Sequence, residues 1–262
     1  MQSSKPITDG ASAPVEAVSH LPPPPTLLTR PALFLDLDGV LAPLAETPDA
    51  VVPDRRRTAA LKAVAERLGG RVAIVSGRTI HEVDRISETA PAPASGVHGL
   101  ERRRADGSLH RADPAPEVRD AVAAFETFAS ARPGMIVEDK GVSAGLHFRG
   151  APGEAAAAMA LARRLADDTG LAIQPGNLVV ELKTPGTDKG TAVTAFMAEA
   201  PFAGAVPVML GDDLTDEHGF RAAAALGGFG VLVGPPRPTS ARYGLADVAA
   251  VLDWLDAVEE GE

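Results

Sequence analysis

Residues 32–35 are an unbroken apolar run, Ala-Leu-Phe-Leu, that stops against Asp36-Leu37-Asp38-Gly39. Such a run is the pattern of a strand buried on both faces of a parallel sheet. Beyond a proline-punctuated loop through Pro53, Leu61, Val64, Ala65 and Leu68 recur at i, i+3, i+4 and i+7. That spacing predicts a helix, which Gly69-Gly70 ends. Residues 72–75 read as a second buried strand, stopping at Ser76-Gly77-Arg78. Thr79 with Glu82 makes a capping box, so a new helix starts directly after that serine. Strand, helix, strand, helix is the order of a parallel sheet.

The pattern changes between about Leu100 and Lys183. Residues 102–104 and 109–111 flank Asp106-Gly107, a strong hairpin signal. A helix through Val118, Val122 and Phe125 precedes expected strands at 135–138 and 142–148. A second helix, from 152 to about 168, leads to strands at 171–174 and 178–182. Units of this kind suggest an α+β module inserted into the parallel sheet. The first pattern then resumes, with a helix at about 188–198, a strand at 206–210 and a helix from Thr215. A strand at 229–233 and a closing helix at 246–258 complete it. The expected fold is therefore α/β, with a core from residues 31–101 and 184–262 and an inserted domain at 102–183. Residues 1–30, rich in Ser, Pro and Ala and ending in Pro22 to Pro25, are expected to be a disordered tail.

Composition narrows the classes of function. At 262 residues, 45% hydrophobic and 23% charged, the chain suits a soluble globular protein of one large or two modest domains. A net charge of −10 argues against nucleic-acid binding. It also means that an anionic substrate must be attracted locally, by metal or by clustered Lys and Arg. The absence of cysteine excludes disulfides and thiol chemistry and fits a reducing cytoplasm. The longest near-continuous apolar run, 155–162, is far short of a membrane span, and residues 1–30 hold no signal-peptide core.

Candidate chemistry gathers at strand ends. Asp36 and Asp38, spaced i, i+2 in an extended segment, point to the same side at the carboxyl end of the first strand, where open α/β sheets bind ligands. Their repulsion calls for a cation, and oxygen ligands suit a hard divalent ion such as Mg2+. The same residues also suit a buried strand ending in an Asp-Gly turn. Ser76-Gly77 lies between a strand and a helix N-terminus, which favours a phosphate but equally describes an ordinary turn. Lys189 stands at a helix start, where the dipole disfavours a cation unless an anion meets it; the alternative is a solvated lysine. Gly211-Asp212-Asp213-Leu214-Thr215-Asp216-Glu217 follows an apolar strand. Asp216 and Glu217 also suit a first helical turn, whereas a metal better explains Asp212 and Asp213. His98, His147 and His218 show no metal-ligand spacing and read as structural or surface residues.

Taken in order, Asp36-x-Asp38, Ser76, Lys189 and Gly211-Asp212-Asp213-x-x-Asp216 resemble the four-motif signature of the haloacid dehalogenase-like (HAD) phosphohydrolases, over residues 31 to about 258. The insert between the second and third motifs corresponds to a C2-type cap. Gly-Val-His98-Gly-Leu-Glu101, Val-Glu138-Asp-Lys140-Gly, His147-Phe-Arg149, Val-Val-Glu181-Leu-Lys183 and Thr239-x-Ala-x-Tyr243 resemble the trehalose-6-phosphate phosphatase family. Glu217-His218 and Lys183 are small departures from it.

The resemblance implies a Rossmann-like core with an α+β cap, and hydrolysis of trehalose 6-phosphate through an aspartyl-phosphate. It makes Asp36 the nucleophile and Asp38 the general acid and base, with Ser76 and Lys189 on the phosphate oxygens and Gly77 beside them; Arg78 is close enough in sequence to help, an outward salt bridge being the equal alternative. Mg2+ falls to Asp36, the Asp38 carbonyl and Asp212, with Asp213 and Asp216 fixing its waters. Glu138, Lys140, Arg149 and Glu181 fall to the sugar, although exposed charge on insert strands is the plain alternative. The implied setting is the cytoplasm, with functional coupling to a trehalose-phosphate synthase. Rival readings are another capped sugar phosphatase, for sucrose phosphate or mannosyl-phosphoglycerate, and an inactive domain that senses a sugar phosphate.

Overall fold

A computed structural model describes residues 21–45 and 47–261. The chain begins with β1 (Leu27–Thr29) and β2 (Pro31–Leu35), every residue of β2 being buried. Helix α1 (Arg55–Arg67) starts at Asp54, whose side chain accepts the Arg57 N–H at 2.9 Å. It stops at Gly69 and Gly70, whose φ of +58° and +80° lie where a side chain is disfavoured. Strand β3 (Val72–Val75) is followed by α2 (Ile80–Ser87), entered through the expected Thr79/Glu82 capping box. Three short strands come next, β4 (Ala94–Gly96), β5 (Glu101–Arg103) and β6 (Leu109–Arg111). The middle of the chain forms α3 (Val118–Ser130), β7 (Ile136–Asp139), β8 (Ser143–His147), α4 (Ala155–Thr169), β9 (Ala172–Gly176) and β10 (Val179–Lys183). The chain continues with α5 (Lys189–Met197), β11 (Val206–Gly211), α6 (Asp216–Ala225) and β12 (Phe229–Val233). It ends with β13 (Tyr243–Leu245), α7 (Val248–Ala257) and β14 (Glu259–Gly261).

The large sheet has the order β13-β12-β11-β2-β3-β4-β5-β6, parallel from β13 to β4 and antiparallel over the last two pairings. Alternation along β2 divides the core. Leu33 and Leu35 pack with Leu61 and Val64 of α1 and Leu255 of α7. Ala32 and Phe34 face α5 and α6, where Phe34 stacks on Phe202 at 5.5 Å between ring centroids. A sheet buried on both faces needs unbroken apolar strands, which is why residues 32–35 carry no polar side chain. The small sheet, β7-β8-β10-β9, is antiparallel throughout. Helices α3 and α4 cover one of its faces, with Phe125 and Leu161 on Ala144, Leu146, Val180 and Leu182. The alternate positions Glu138, Gly145 and Glu181 therefore point the other way, toward the large sheet's carboxyl edge.

Two expectations change. The hairpin around Asp106-Gly107 forms, but it extends the large sheet rather than opening the insert: Ser95 pairs with Arg102, and Arg102 with His110. The cause is β4, a three-residue Ala-Ser-Gly strand with no periodicity to read, whose free edge takes the hairpin. Residues 21–30 are not a loose tail. Strand β1 pairs in parallel with β14, Leu28 is buried, and Trp254 Nε1 donates to the Pro25 carbonyl at 3.1 Å. The rest of the tail expectation, residues 1–20, lies outside the described residues. Strand β13 had no sequence signal either. Among the described residues no helix is long and apolar enough to cross a membrane.

The docked segment gives a stability prediction. Burial of one leucine contributes about 1.5–3 kcal/mol, and each kcal/mol moves Tm by roughly 2–4 °C in a chain of this size. A chain starting at Arg30 should unfold about 4–10 °C below one starting at Leu21, measured by differential scanning calorimetry. Equal Tm values would show that the β1–β14 pairing adds nothing.

Candidate active site

Strands β11, β2 and β3 lie side by side and end together, so their carboxyl ends deliver Asp212, Asp36 and Ser76 to one place. Asp36 Oδ1 accepts the Leu37 N–H at 2.7 Å, and Oδ2 lies 2.8 Å from Lys189 Nζ. Lys189, the first residue of α5, also donates to Asp216 Oδ1 at 2.7 Å. Asp216 Oδ2 in turn accepts the N–H groups of Asp212 at 3.0 Å and Asp213 at 3.1 Å. Asp213 Oδ1 accepts from Thr215 N at 2.7 Å and Thr215 Oγ1 at 2.6 Å. Two glycines permit this crowding. A Cβ on Gly39 (φ +76°) would lie 2.1 Å from Asp212 Oδ2, and one on Gly211 would lie 2.2 Å from Asp216 Cγ.

One ammonium cannot neutralise this many carboxylates. Burial first, then Asp216 and Asp213, push Asp212 up to about 7. Burial holds Asp216 at about 6 even with Lys189 beside it, and Asp36 also stands well above the usual range. Lys189 stays charged against its own burial because Asp216 and Asp36 face it. Carboxylate oxygens of Asp36, Asp212 and Asp216 fall within 4.8 Å of one another. An all-oxygen, electron-rich donor set of this size fits a hard divalent cation.

Asp38 faces Arg78, whose Nε and Nη2 lie 2.7 and 2.9 Å from its two oxygens. The same guanidinium reaches Glu82 Oε1 at 3.1 Å, and the Arg78 N–H donates to Ser76 Oγ at 3.2 Å. From the insert, Lys140 Nζ donates to Glu181 Oε2 at 2.8 Å and to the core carbonyl of Gly77 at 3.0 Å. Glu138 Oε2 lies 3.7 Å from the same ammonium and 2.8 Å from His147 Nε2. Burial would raise Glu181, but the charge and hydrogen bond of Lys140 foremost outweigh it and hold the group at about 2. The register puts Glu138, Gly145, Glu181 and Gln174 in one row across the small sheet. Arg149 sits at the far end, donating to the Asn177 carbonyl at 3.1 Å.

A single cleft of about 640 Å³ joins these groups. Asp36, Asp38, Ser76, Gly77, Arg78, Lys189, Asp212 and Asp213 line its core side, and Glu138, Lys140, Arg149 and Glu181 its insert side. Asp216 lies behind the lining, in contact with Lys189. Two histidines read from sequence as structural or surface groups also line the cleft. His147 is held by Glu138. His98 sits in a left-handed turn (φ +52°) against Gly77, where a Cβ would come within 2.6 Å of its Nε2. Burial drives its pKa down to about 3, so the ring is neutral. No spacing marked either residue, since both are brought in by tertiary packing. His218 stays outside, 3.6 Å from Asp188.

A family model described as Trehalose-phosphatase matches residues 34–249. The chain is 41% identical to trehalose-6-phosphate phosphatase of Escherichia coli (strain K12), over 89% of this chain and 88% of that protein. Among solved structures, the C-terminal domain of C. albicans trehalose-6-phosphate phosphatase superposes with a TM-score of 0.78 at 20% identity, covering 87% of this chain and 92% of that one. A phosphatase of the HAD enzyme superfamily from Bacteroides thetaiotaomicron gives 0.59 at 18% identity, over 95% and 100%. At such identities these two structures speak for the fold alone.

The crowded carboxylates set a pH dependence. Between about pH 4 and 7 the folded, metal-free chain keeps on Asp212 a proton that the unfolded chain has lost, so this group's contribution to stability falls as pH rises and levels off above 7. His98 works in the opposite sense, but it is common to the parent and an Asp212→Asn chain and cancels between them. In EDTA, the Tm of Asp212→Asn relative to the parent should therefore climb from pH 4 to 7 by several degrees, then hold. A difference that stays flat across that range would mean that Asp212 ionises like an exposed aspartate.

Proposed function

The chain belongs to the trehalose-phosphatase family, and from that premise we propose that it hydrolyses trehalose 6-phosphate to trehalose and phosphate, with Mg2+ bound and through an aspartyl-phosphate on Asp36. It is a phosphoric monoester hydrolase with the HAD fold, a Rossmann-like parallel core carrying an inserted α+β unit. The observation that carries the finer reading is the two-sided cleft. A buried nucleophile candidate beside an ammonium lies on one wall, and a row of hydrogen-bonding side chains on the insert lies on the other.

Asp36 and Asp212, with the backbone carbonyl of Asp38, would hold the cation, and Asp213 and Asp216 would orient its waters. When bound, the ion offsets the repulsion between a carboxylate nucleophile and a phosphate dianion. Lys189 and Ser76 take the non-bridging oxygens, a placement that stabilises charge on the transferring group. An Asp36 oxygen bonds to phosphorus, the bond from phosphorus to the sugar oxygen breaks, and Asp38 gives that oxygen its proton. Water then attacks the phosphorus and Asp38 takes its proton. The acyl-phosphate bond breaks, and phosphate leaves with the Asp36 carboxylate restored. Arg78 pairs with both Asp38 and Glu82 on this wall.

The insert, from Val118 to Lys183, acts as the cap that selects the sugar. Carboxylates suit this because each accepts several hydroxyl hydrogen bonds. Glu138, Lys140 and Glu181 grip the disaccharide, with Arg149 at its far end. The enzyme works in the cytoplasm on the product of a trehalose-phosphate synthase.

Two measurements test the reading. Asp36→Asn should abolish phosphate release from trehalose 6-phosphate without lowering Tm, and residual turnover near the parent's would defeat the nucleophile assignment. Glu181→Ala should lose about 5- to 150-fold in kcat/KM for the sugar phosphate, the value of one hydrogen bond to a charged group. A small aryl phosphate cannot reach that row, so its hydrolysis should change little. Equal losses on both substrates would place Glu181 in the chemistry or the fold rather than in sugar recognition.

A further inference from the structure

The segment between β12 and β13 turns one side chain back onto the loop that carries Asp212 and Asp213. Arg237 Nη2 donates to the Asp213 carbonyl at 2.6 Å, and Nε to the Asp212 carbonyl at 3.4 Å. Its Nη1 meets Glu217 Oε1 at 2.5 Å. Glu217 is itself held, accepting from Thr239 Oγ1 at 2.6 Å and from Ser240 N at 2.8 Å. The loop is thus gripped from both sides. Asp216 takes its N–H groups on the inside, and Arg237 takes its carbonyls on the outside. Arg237 does not line the cleft, so it acts on substrate only through that loop.

The grip opposes a definite force. Asp212 faces Asp36 and Asp216 across a few ångströms, and like charges at that range push the loop outward. A guanidinium fork locked by a carboxylate resists this better than a flexible ammonium. We infer that Arg237, held by Glu217, is a positioning residue that sets the affinity of the Asp36–Asp212 cluster for a divalent cation. The inference rests on the reading of that cluster as a Mg2+ site. It also accounts for Glu217, which the sequence motif left as an ordinary first-turn acid.

The test titrates Mg2+ into the purified protein by isothermal calorimetry and by the rise in Tm, with Asp212→Asn as the site control. Outer-sphere partners of a metal site typically govern 10- to 100-fold in affinity. Arg237→Gln should weaken Mg2+ binding within that range, and Arg237→Lys, which keeps one donor and the charge, by less. The Mg2+ concentration for half-maximal turnover should rise in parallel, while KM for substrate at saturating Mg2+ stays near the parent's. If the metal-free Tm of Arg237→Gln collapses, Arg237→Lys decides. Parent-like Mg2+ affinity in the deciding variant overturns the positioning role while leaving the metal site intact. Loss of KM and kcat with unchanged Mg2+ binding overturns it as well. No Mg2+ binding by the parent chain overturns both the role and the site.

Discussion

The buried ammonium of Lys189 is the interaction on which the core side of the cleft depends. It spans Asp36 at 2.8 Å and Asp216 at 2.7 Å, tying the end of β2 to the start of α6 through the first residue of α5. A buried charge pair contributes little net stability, because desolvation offsets most of the attraction, yet losing one member leaves an uncompensated charge inside. Lys189 is therefore better understood as fixing geometry than as strengthening the fold. It holds Asp36 from one side, and Leu37 N–H holds it from the other. The negative charge left over by this arrangement is what a cation is suited to meet.

The insert presents the opposite electrostatic arrangement. Glu181 and Lys140 pair at 2.8 Å, so neither charge is in excess and both remain ionised. What the pair offers a ligand is hydrogen-bonding capacity at fixed positions. Lys140 also spans the cleft to Gly77, the residue next to Ser76, so the two walls meet at one point beside the place assigned to phosphate. Gly77 can carry no Cβ there because the His98 ring fills the space.

Much of this was legible in the sequence, for physical reasons that differ by element. Residues 32–35 and 72–75 are buried on both faces and could hardly be anything but interior strands. The Thr79/Glu82 box announces a helix start through local hydrogen bonds that need no tertiary context. Asp36, Ser76 and Asp212 could be grouped because β2, β3 and β11 all end at one edge. What stayed hidden was set by long-range pairing. Strand β4 is too short for a period, β1 depends on β14 from the other end of the chain, and the hairpin's place follows from the free edge of β4. His98 stood in a motif of the sequence, but its place in the cleft comes from a left-handed turn that no spacing shows.

Gly39 and Gly211 show how far the requirements of the site shape the backbone around it. Each lacks a Cβ where one would collide with an aspartate of the cluster, at 2.1 Å from Asp212 and 2.2 Å from Asp216. A chain selected for stability alone would have little reason to place glycine at both points, since each adds conformational entropy to the unfolded state. Nor would it bury Asp36 at the end of β2 and Asp216 at the start of α6. Local costs of this kind persist where the arrangement serves something other than the fold. They converge on the same few ångströms from β2, α6 and the loop after β11. That convergence marks the carboxylate cluster, rather than the cleft as a whole, as the part of the molecule least free to change.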